Sequence, residues 1–351
     1  MEKVVKQVAG IDVAQKELVV SLGRMYDDWS PEVYAHKTFP NTQAGFTALI
    51  AWVKKQMNQA VPVRFVMEAT GVYHESLAYH LTEKDFEVSI VLPNKISNYF
   101  RTLEVKTVTD KTASVAIAQF GLERKLDIWQ QPKGLFKTLR QLTRERGQLV
   151  EERTAIKNQL HAEQAEARPN KKTIGRIKKR IDLLNKQEKE IRSEIEGLIK
   201  EDSEMKDLLV IICSLPGIGI LTAVTVMAET NGFDLIRNKR QLASYAGFDV
   251  KEKQSGTSVK GKARISKKGN KYLRKAMHFP ALTAIRHDER FKAIFARLVS
   301  KHGLKMKAAV AVQRKLLEMI YTLFRTRTVY DKAYLKKTGQ EAMAETIEAV
   351  I

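Results

Sequence analysis

The sequence predicts an α/β domain followed by an all-α remainder, and three observations carry that division. Short β-branched and aromatic runs alternate with helical stretches as far as about residue 128. From Leu135 onward apolar residues recur at helical and heptad spacing instead. The charge divides in the same place. Residues 1–130 hold 15 Lys+Arg against 15 Asp+Glu, so the whole net charge of +21 resides in the 46 basic and 25 acidic residues that follow.

The elements of the first part read in order. KQVAGIDVA (6–14), ELVVSLGR (17–24) and VYAHKTF (33–39) are three runs separated by polar bends, the pattern of an antiparallel meander. Asn41 and Thr42 offer N-caps to a helix with Phe46, Leu49, Ile50 and Val53 on one face. VRFVMEA (63–69) is a fourth strand, YHESLAYHLTEKDF (73–86) a helix and EVSIVLP (87–93) a fifth strand. Asp110 then precedes a helix with Val115, Ile117, Ala118 and Phe120. Three strands, helix, strand, helix, strand, helix is the order of an RNase H-like fold, and such sheets carry their sites at the strand ends.

A break at QQPKG (130–134) opens a second regime. Leu135, Leu139, Leu142, Leu149 and Ile156, then Ile174, Ile177, Ile181, Leu184, Ile191, Ile195 and Leu198, predict two long helices hinged near residues 168–170, a coiled-coil arm over 129–204. The face through Ile174, Ile181, Leu184, Ile191 and Ile195 is wider than one partner helix covers, which predicts a dimer or tetramer. A helical domain follows over 205–335, with a tail over 336–351. In it, IICSLPGIGILTAVTVMAE (211–229) reads as a helix-hairpin-helix element whose Gly217 and Gly219 admit a phosphate to the next helix N-terminus. A plain helix–helix turn is the competing reading.

Composition bounds the function. With 351 residues, 44% of them hydrophobic, the chain is long enough for two or three domains and is not a mostly disordered polymer. Its single cysteine, Cys213, excludes an internal disulfide and a cysteine-rich zinc site and points to a reducing, cytoplasmic setting. No apolar run approaches the ~18–20 residues of a membrane span, so no membrane partner is expected. The one-sided positive charge favours a polyanion, nucleic acid first, over a surface charged only for solubility.

Two groups of residues can carry chemistry. Asp12 interrupts the first strand, Glu68 ends the fourth, and Asp110 precedes the helix after the fifth. Carboxylates gathered in strand-rich surroundings need a cation, and hard oxygens suit Mg²⁺ or Mn²⁺, which serve phosphoryl transfer. Asp12 alone reads equally well as a turn residue. The second group spans 251–275, with ten basic residues against Glu252 alone. Lys260, Lys262, Arg264, Lys267, Lys268, Lys271 and Arg274 are candidate phosphate contacts, the stretch from Lys267 to Lys275 having the spacing of one helix face. Among them Ser255, expected on a Gly-flanked loop, is either a phosphate ligand or a nucleophile.

The chain resembles the insertion-sequence transposases of the family numbered one hundred and ten, bridge-RNA-guided serine recombinases. GIDVAQ around Asp12, MEATGVY around Glu68, VTDKTASVAIAQF around Asp110, LPGIG, SYAGF, QSGTSVKG and RISKKGNKYLRKAM carry the resemblance nearly end to end. It implies a domain like the junction resolvase RuvC with an Asp-Glu-Asp-Asp metal site, and a helical transposase domain whose serine, here Ser255, forms a covalent phosphoserine with DNA. It also implies a Holliday-junction intermediate, a noncoding guide RNA and active sites assembled between protomers. One position departs: the fourth acid falls at 113, which is Ala113. The alternatives are a non-catalytic nucleic-acid-binding protein and a metal-dependent nuclease that activates water.

Overall fold

The computed structural model describes residues 3–332 except 70, 104, 106, 108, 235, 253, 256–258 and 262–263. The chain divides into two compact units, Met1–Gln131 and Pro132–Ile351. The expected tail over 336–351 lies outside the described residues.

In the first unit β1 (Val4–Val13), β2 (Glu17–Tyr26) and β3 (Pro31–Pro40) form the antiparallel meander, followed by α1 (Gln43–Gln56), β4 (Val63–Glu68), α2 (Glu75–Thr82), β5 (Glu87–Val91), α3 (Pro93–Phe100) and α4 (Asp110–Glu123). The sheet order is β3-β2-β1-β4-β5. β1 pairs antiparallel with β2 and parallel with β4, which pairs parallel with β5. This is the mixed sheet the strand order predicts. Thr42 caps α1 by accepting from Gly45 N–H, and Phe46, Leu49, Ile50 and Val53 are the buried face, as expected. The fifth strand is shorter than expected. It stops at Val91, because Pro93 sits at the first turn of α3, a helix the sequence reading did not include.

Strand alternation sorts the two faces of β1. Ala9, Ile11 and Val13 join the apolar cluster under α1 and α2, whereas Val8 joins the cluster with Val66, Ile117 and Leu122 on the α4 side. Gly10 and Asp12 share the face of Val8. A Cβ on Gly10 would stand 2.3 Å from the backbone nitrogen of Ala118 in α4. Backbone cannot yield as a side-chain tip can, so Gly10→Ala is expected to cost about 3 kcal/mol, read as a lower unfolding midpoint of the full-length protein.

The second unit opens with two long helices, α5 (Gly134–Ala165) and α6 (Lys171–Glu201), joined near Arg168 as the sequence predicts. Ile156, Ile177, Ile181 and Leu184 form one cluster with Leu149 and Leu160 packed against it. Buried Glu188 receives Arg146, Arg153 and Arg192, which fixes the register of the pair. The face expected to seek a partner chain is covered within this one: Ile181, Leu184, Ile191 and Ile195 are at most 8% exposed. Ile174, at the start of the helix, is half-buried, and the rest of this face does not need a partner chain to cover it. The cause is that α5 runs along α6, and Ile191 and Ile195 pack with Leu139 and Leu142 in the larger helical core.

That core is built by α7 (Ser203–Cys213), α8 (Ile220–Glu229), α9 (Lys239–Tyr245), α10 (Lys271–Ala276), α11 (His278–His287), α12 (Glu289–His302) and α13 (Lys305–Thr326). Between α9 and α10 the chain forms two small antiparallel pairs, β6 (Val250–Lys251) with β9 (Arg264–Ile265) and, further out, β7 (Gln254–Ser255) with β8 (Val259–Lys260).

Candidate active site

Asp12 and Glu68 are brought together by the sheet. The last pair of the β1–β4 ladder is Ile11 with Met67, so Asp12 and Glu68 are the next residues on neighbouring parallel strands. Both lie on the α4 face, Glu68 sharing it with Val66. Asp110 is the first residue of α4, where Thr109 and Thr112 form a capping box that starts the helix at that point. The Asp12 carboxyl is pushed up to about 6, by burial first and then by the charges of Asp110 and Glu68. Three acids from three elements thus converge on one end of the sheet.

Among the described residues no three His, Cys, Asp or Glu side chains are placed to hold a metal ion as they stand. The donor set nevertheless fits a hard divalent cation: Asp12 and Glu68 are half-buried, Asp110 is exposed, and carboxylates that repel one another are relieved by positive charge. Mg²⁺ commonly takes one or two carboxylates and completes its shell with water and substrate phosphate, so a full protein cage is not needed. Ala113 supplies no side-chain oxygen, and its neighbour does not replace one. Ser114 is fully buried, its hydroxyl 2.8 Å from the Ser21 hydroxyl and donating to the Lys111 carbonyl at 2.8 Å.

A carboxyl held near 6 against an ordinary 3.8 binds its proton more tightly in the folded chain than in the unfolded one. Its stabilising contribution is therefore full at low pH and is lost as pH rises from about 4 to about 6. In chelator, Asp12→Asn should gain about 1–2 kcal/mol at pH 7.5, the shift being discounted for solvent screening, and nothing near pH 3.5. Unfolding curves at the two pH values measure this.

The predicted residues of the second unit are dispersed more widely. Ser255, expected on a loop, lies in β7 opposite Val259, one residue from the start of the segment 256–258, which is outside the described residues. Lys260 is in β8, exposed Arg264 in β9, and Lys262 outside the described residues. The single helix face expected from Lys267 to Lys275 does not form. Gly269, at φ +152°, and Asn270, whose side chain caps α10, start the helix only at Lys271. Lys267 and Lys268 are exposed in the preceding loop, with Lys267 at φ +54°. Arg274 is half-buried, its Nη1 donating to the carbonyls of Ala246, Gly269 and Asn270, so it braces the loop. Lys275 pairs with Glu151. Gly217, at φ +82°, is required by packing, since a Cβ there would stand 2.5 Å from the Pro280 carbonyl; Gly219, at the start of α8, faces open space.

Sequence reasoning missed the anchor beneath this loop. Glu229, the one acid in the apolar stretch 211–229, is buried and receives Arg144 Nε at 2.7 Å, Arg144 Nη2 at 2.8 Å and Asn270 Nδ2 at 2.6 Å. The Arg144 guanidinium lies 4.4 Å from the Tyr272 ring centre, and the Tyr245 hydroxyl donates to the Glu229 carbonyl. A lone carboxylate in an apolar helix was the available signal.

Comparison with known proteins decides the family. The sequence model described as the Transposase IS116/IS110/IS902 family matches residues 210–296, and a second transposase model, of the DEDD type of IS110, matches residues 9–165. The chain belongs to the IS110 family of transposases. The pilin gene-inverting protein of Moraxella bovis is 28% identical over 333 residues, 93% of this chain and 98% of that protein. The transposase of element IS1111A from Coxiella burnetii is 26% identical over 155 residues, 42% of this chain and 41% of that one. Thermus thermophilus RuvC in complex with a Holliday junction covers 35% of this chain and 99% of its own at 9% identity, with a TM-score of 0.27. As an IS110 transposase the chain acts on DNA, and no helix among the described residues is long and apolar enough to cross a membrane.

For an IS110 chain with this distribution of charge, the exposed lysines of the α9–α10 region are expected to contact phosphate. Replacing Lys267, Lys268 and Lys271 together by Ala should flatten the salt dependence of DNA binding by up to ~3 in log–log slope, about 0.9 per lost contact. Titrations at several salt concentrations test it, and an unchanged slope would place these lysines in solvent.

Proposed function

We propose that this chain is a DNA recombinase in which Asp12, Glu68 and Asp110 hold Mg²⁺ (or Mn²⁺) and Ser255 is the nucleophile, with a noncoding RNA choosing donor and target. The observation that carries the metal half is the convergence of three carboxylates on one sheet end, where burial first and the charges of Asp110 and Glu68 second hold Asp12 near 6. When bound, the cation supplies Lewis-acid charge at the scissile phosphate. Ser255 Oγ attacks phosphorus, the phosphoserine ester forms as the P–O bond to the leaving strand breaks, and the serine proton ends on the departing deoxyribose oxygen. Reversal on a second strand rejoins DNA without loss of bond energy. Lys260, Lys262, Arg264, Lys267, Lys268 and Lys271 hold the phosphate backbone, with Gly219 at an open helix start. Dimers or tetramers in the prokaryotic cytoplasm complete the reading, with 1–128, 129–204 and 205–335 as its metal, arm and serine domains.

The experiment is a denaturing gel of protein incubated with Mg²⁺, the element's flanking RNA and DNA carrying its junctions. A DNA adduct mapped to Ser255 supports the proposal. Cleavage without an adduct would instead favour a nuclease. Binding with neither would favour the non-catalytic reading, to which Ala113 lends weight.

A further inference from the structure

The sheet end that carries Asp12 and Glu68 is apolar as well as acidic. Val72 and Tyr73, in the turn between β4 and α2, are 69% and 42% exposed, and Leu92, between β5 and α3, is 59% exposed. The Ala69 N–H donates to the Val91 carbonyl at 2.9 Å, so pairing of β4 with β5 continues past Glu68 and brings Leu92 alongside Ala69, at the same sheet end as this turn. Apolar burial does not hold the turn, since α2 packs through Leu77, Ala78 and Leu81 further on. Backbone contacts hold it instead. The Asn41 side chain donates to the Tyr73 carbonyl at 3.2 Å and to the Ala14 carbonyl at 2.9 Å, tying Tyr73 to the bend that follows Asp12. Gly71, at φ +56°, gives the turn its shape, and the edge of the Tyr73 ring lies 3.7 Å from where a Gly71 Cβ would stand. Lys16 and Lys95 are exposed on the flanking segments.

We infer that Tyr73, with Val72 and Leu92 beside it, is a stacking platform for an unpaired nucleobase next to the phosphodiester that meets the carboxylates. Exposed apolar side chains fixed by backbone hydrogen bonds add nothing to the core of this unit, whereas an aromatic face flanked by cations is how single-stranded nucleic acid is held. Bases within a duplex already stack on each other and leave no face for Tyr73. The platform therefore selects DNA that is open or branched at the reacting phosphate. The identity of the ligand as DNA at this site rests on the function proposed above.

The test uses the full-length protein with a junction DNA carrying 5-iodouracil at unpaired positions, and a fully paired duplex of the same sequence. Irradiation should crosslink the junction to the peptide containing Tyr73 in the wild type. Tyr73→Ala should lose that crosslink and bind the junction roughly ten-fold more weakly, with duplex affinity unchanged. Tyr73→Phe, which keeps the ring, should bind as the wild type does. Equal weakening on duplex and junction, or no weakening on either, would overturn the platform. Because the readouts are binding and crosslinking, a wild type that crosslinks at Tyr73 but forms no Ser255 adduct refutes the proposed chemistry while leaving the platform standing. A wild type with an adduct and a Tyr73→Ala variant of full junction affinity does the reverse.

Discussion

Ser255→Ala is expected to form no covalent DNA adduct, a loss of at least ~10³-fold, while folding and DNA binding stay close to wild type. With Ser255 as the proposed nucleophile, removal of the attacking oxygen leaves the phosphoserine ester with no way to form. Asp12→Ala is expected to lose the adduct too, although more than 240 residues separate it from Ser255. On the proposed chemistry nucleophile and activator serve one step, so the double variant should be no worse than either single one. Losses that multiply instead would show that the carboxylates serve a separate step. Ala113→Asp sharpens the same assay. It adds one hard oxygen donor a single turn into α4 from Asp110, and should lower the Mg²⁺ concentration that gives half-maximal adduct. An unchanged requirement would show that water or substrate phosphate already fills that position.

Glu229→Ala should be the most damaging change to stability in the second unit, at about 2–4 kcal/mol. The Glu229 side chain is 1% exposed and accepts a two-point bond from Arg144, whose own side chain is 39% exposed. Without the carboxylate, Arg144 keeps its charge in partly desolvated surroundings, and Asn270 loses the bond that steadies it as the cap of α10. The partial exposure of Arg144 keeps the cost below that of a fully buried pair. Thermal unfolding of the full-length protein measures it. Glu229→Gln, which retains an acceptor, should lose roughly half as much, and equal losses for Ala and Gln would show that the charge is what matters.

The fold of the first unit was legible because its signals are local. Period-two alternation in VAGIDV and VRFVME places Asp12 and Glu68 on one face, and Thr42 marks a helix start in sequence as in structure. The basic loop was less legible because its shape is set at a distance. Asn270 N–H donates to the Tyr245 carbonyl and Lys267 N–H to the Gly247 carbonyl, contacts that no spacing rule within 267–275 contains. They override the helical spacing of the lysines. The apolar face of α6 was read correctly as apolar and as wider than one helix covers; the second source of cover, the helical core that takes Ile191 and Ile195, was not legible, since periodicity says which side needs cover and not which element supplies it.

The close approach of Gly10 to Ala118 bears on how this site can evolve. Asp12 lies two residues along β1 from that contact, and Asp110 eight residues along α4 from it. The separation of the two acids is therefore set by main chain resting on main chain. Drift among the side chains around them, a Val for an Ile or a Leu for a Met, alters volume without altering that gauge. Lineages can exchange most of the surrounding core and inherit the same acid spacing, provided position 10 stays glycine. If the site holds a cation as proposed, a change in its size can be met in the loops after β1 and β4 and in the first turn of α4, where no glycine among the described residues makes such a contact of main chain with main chain.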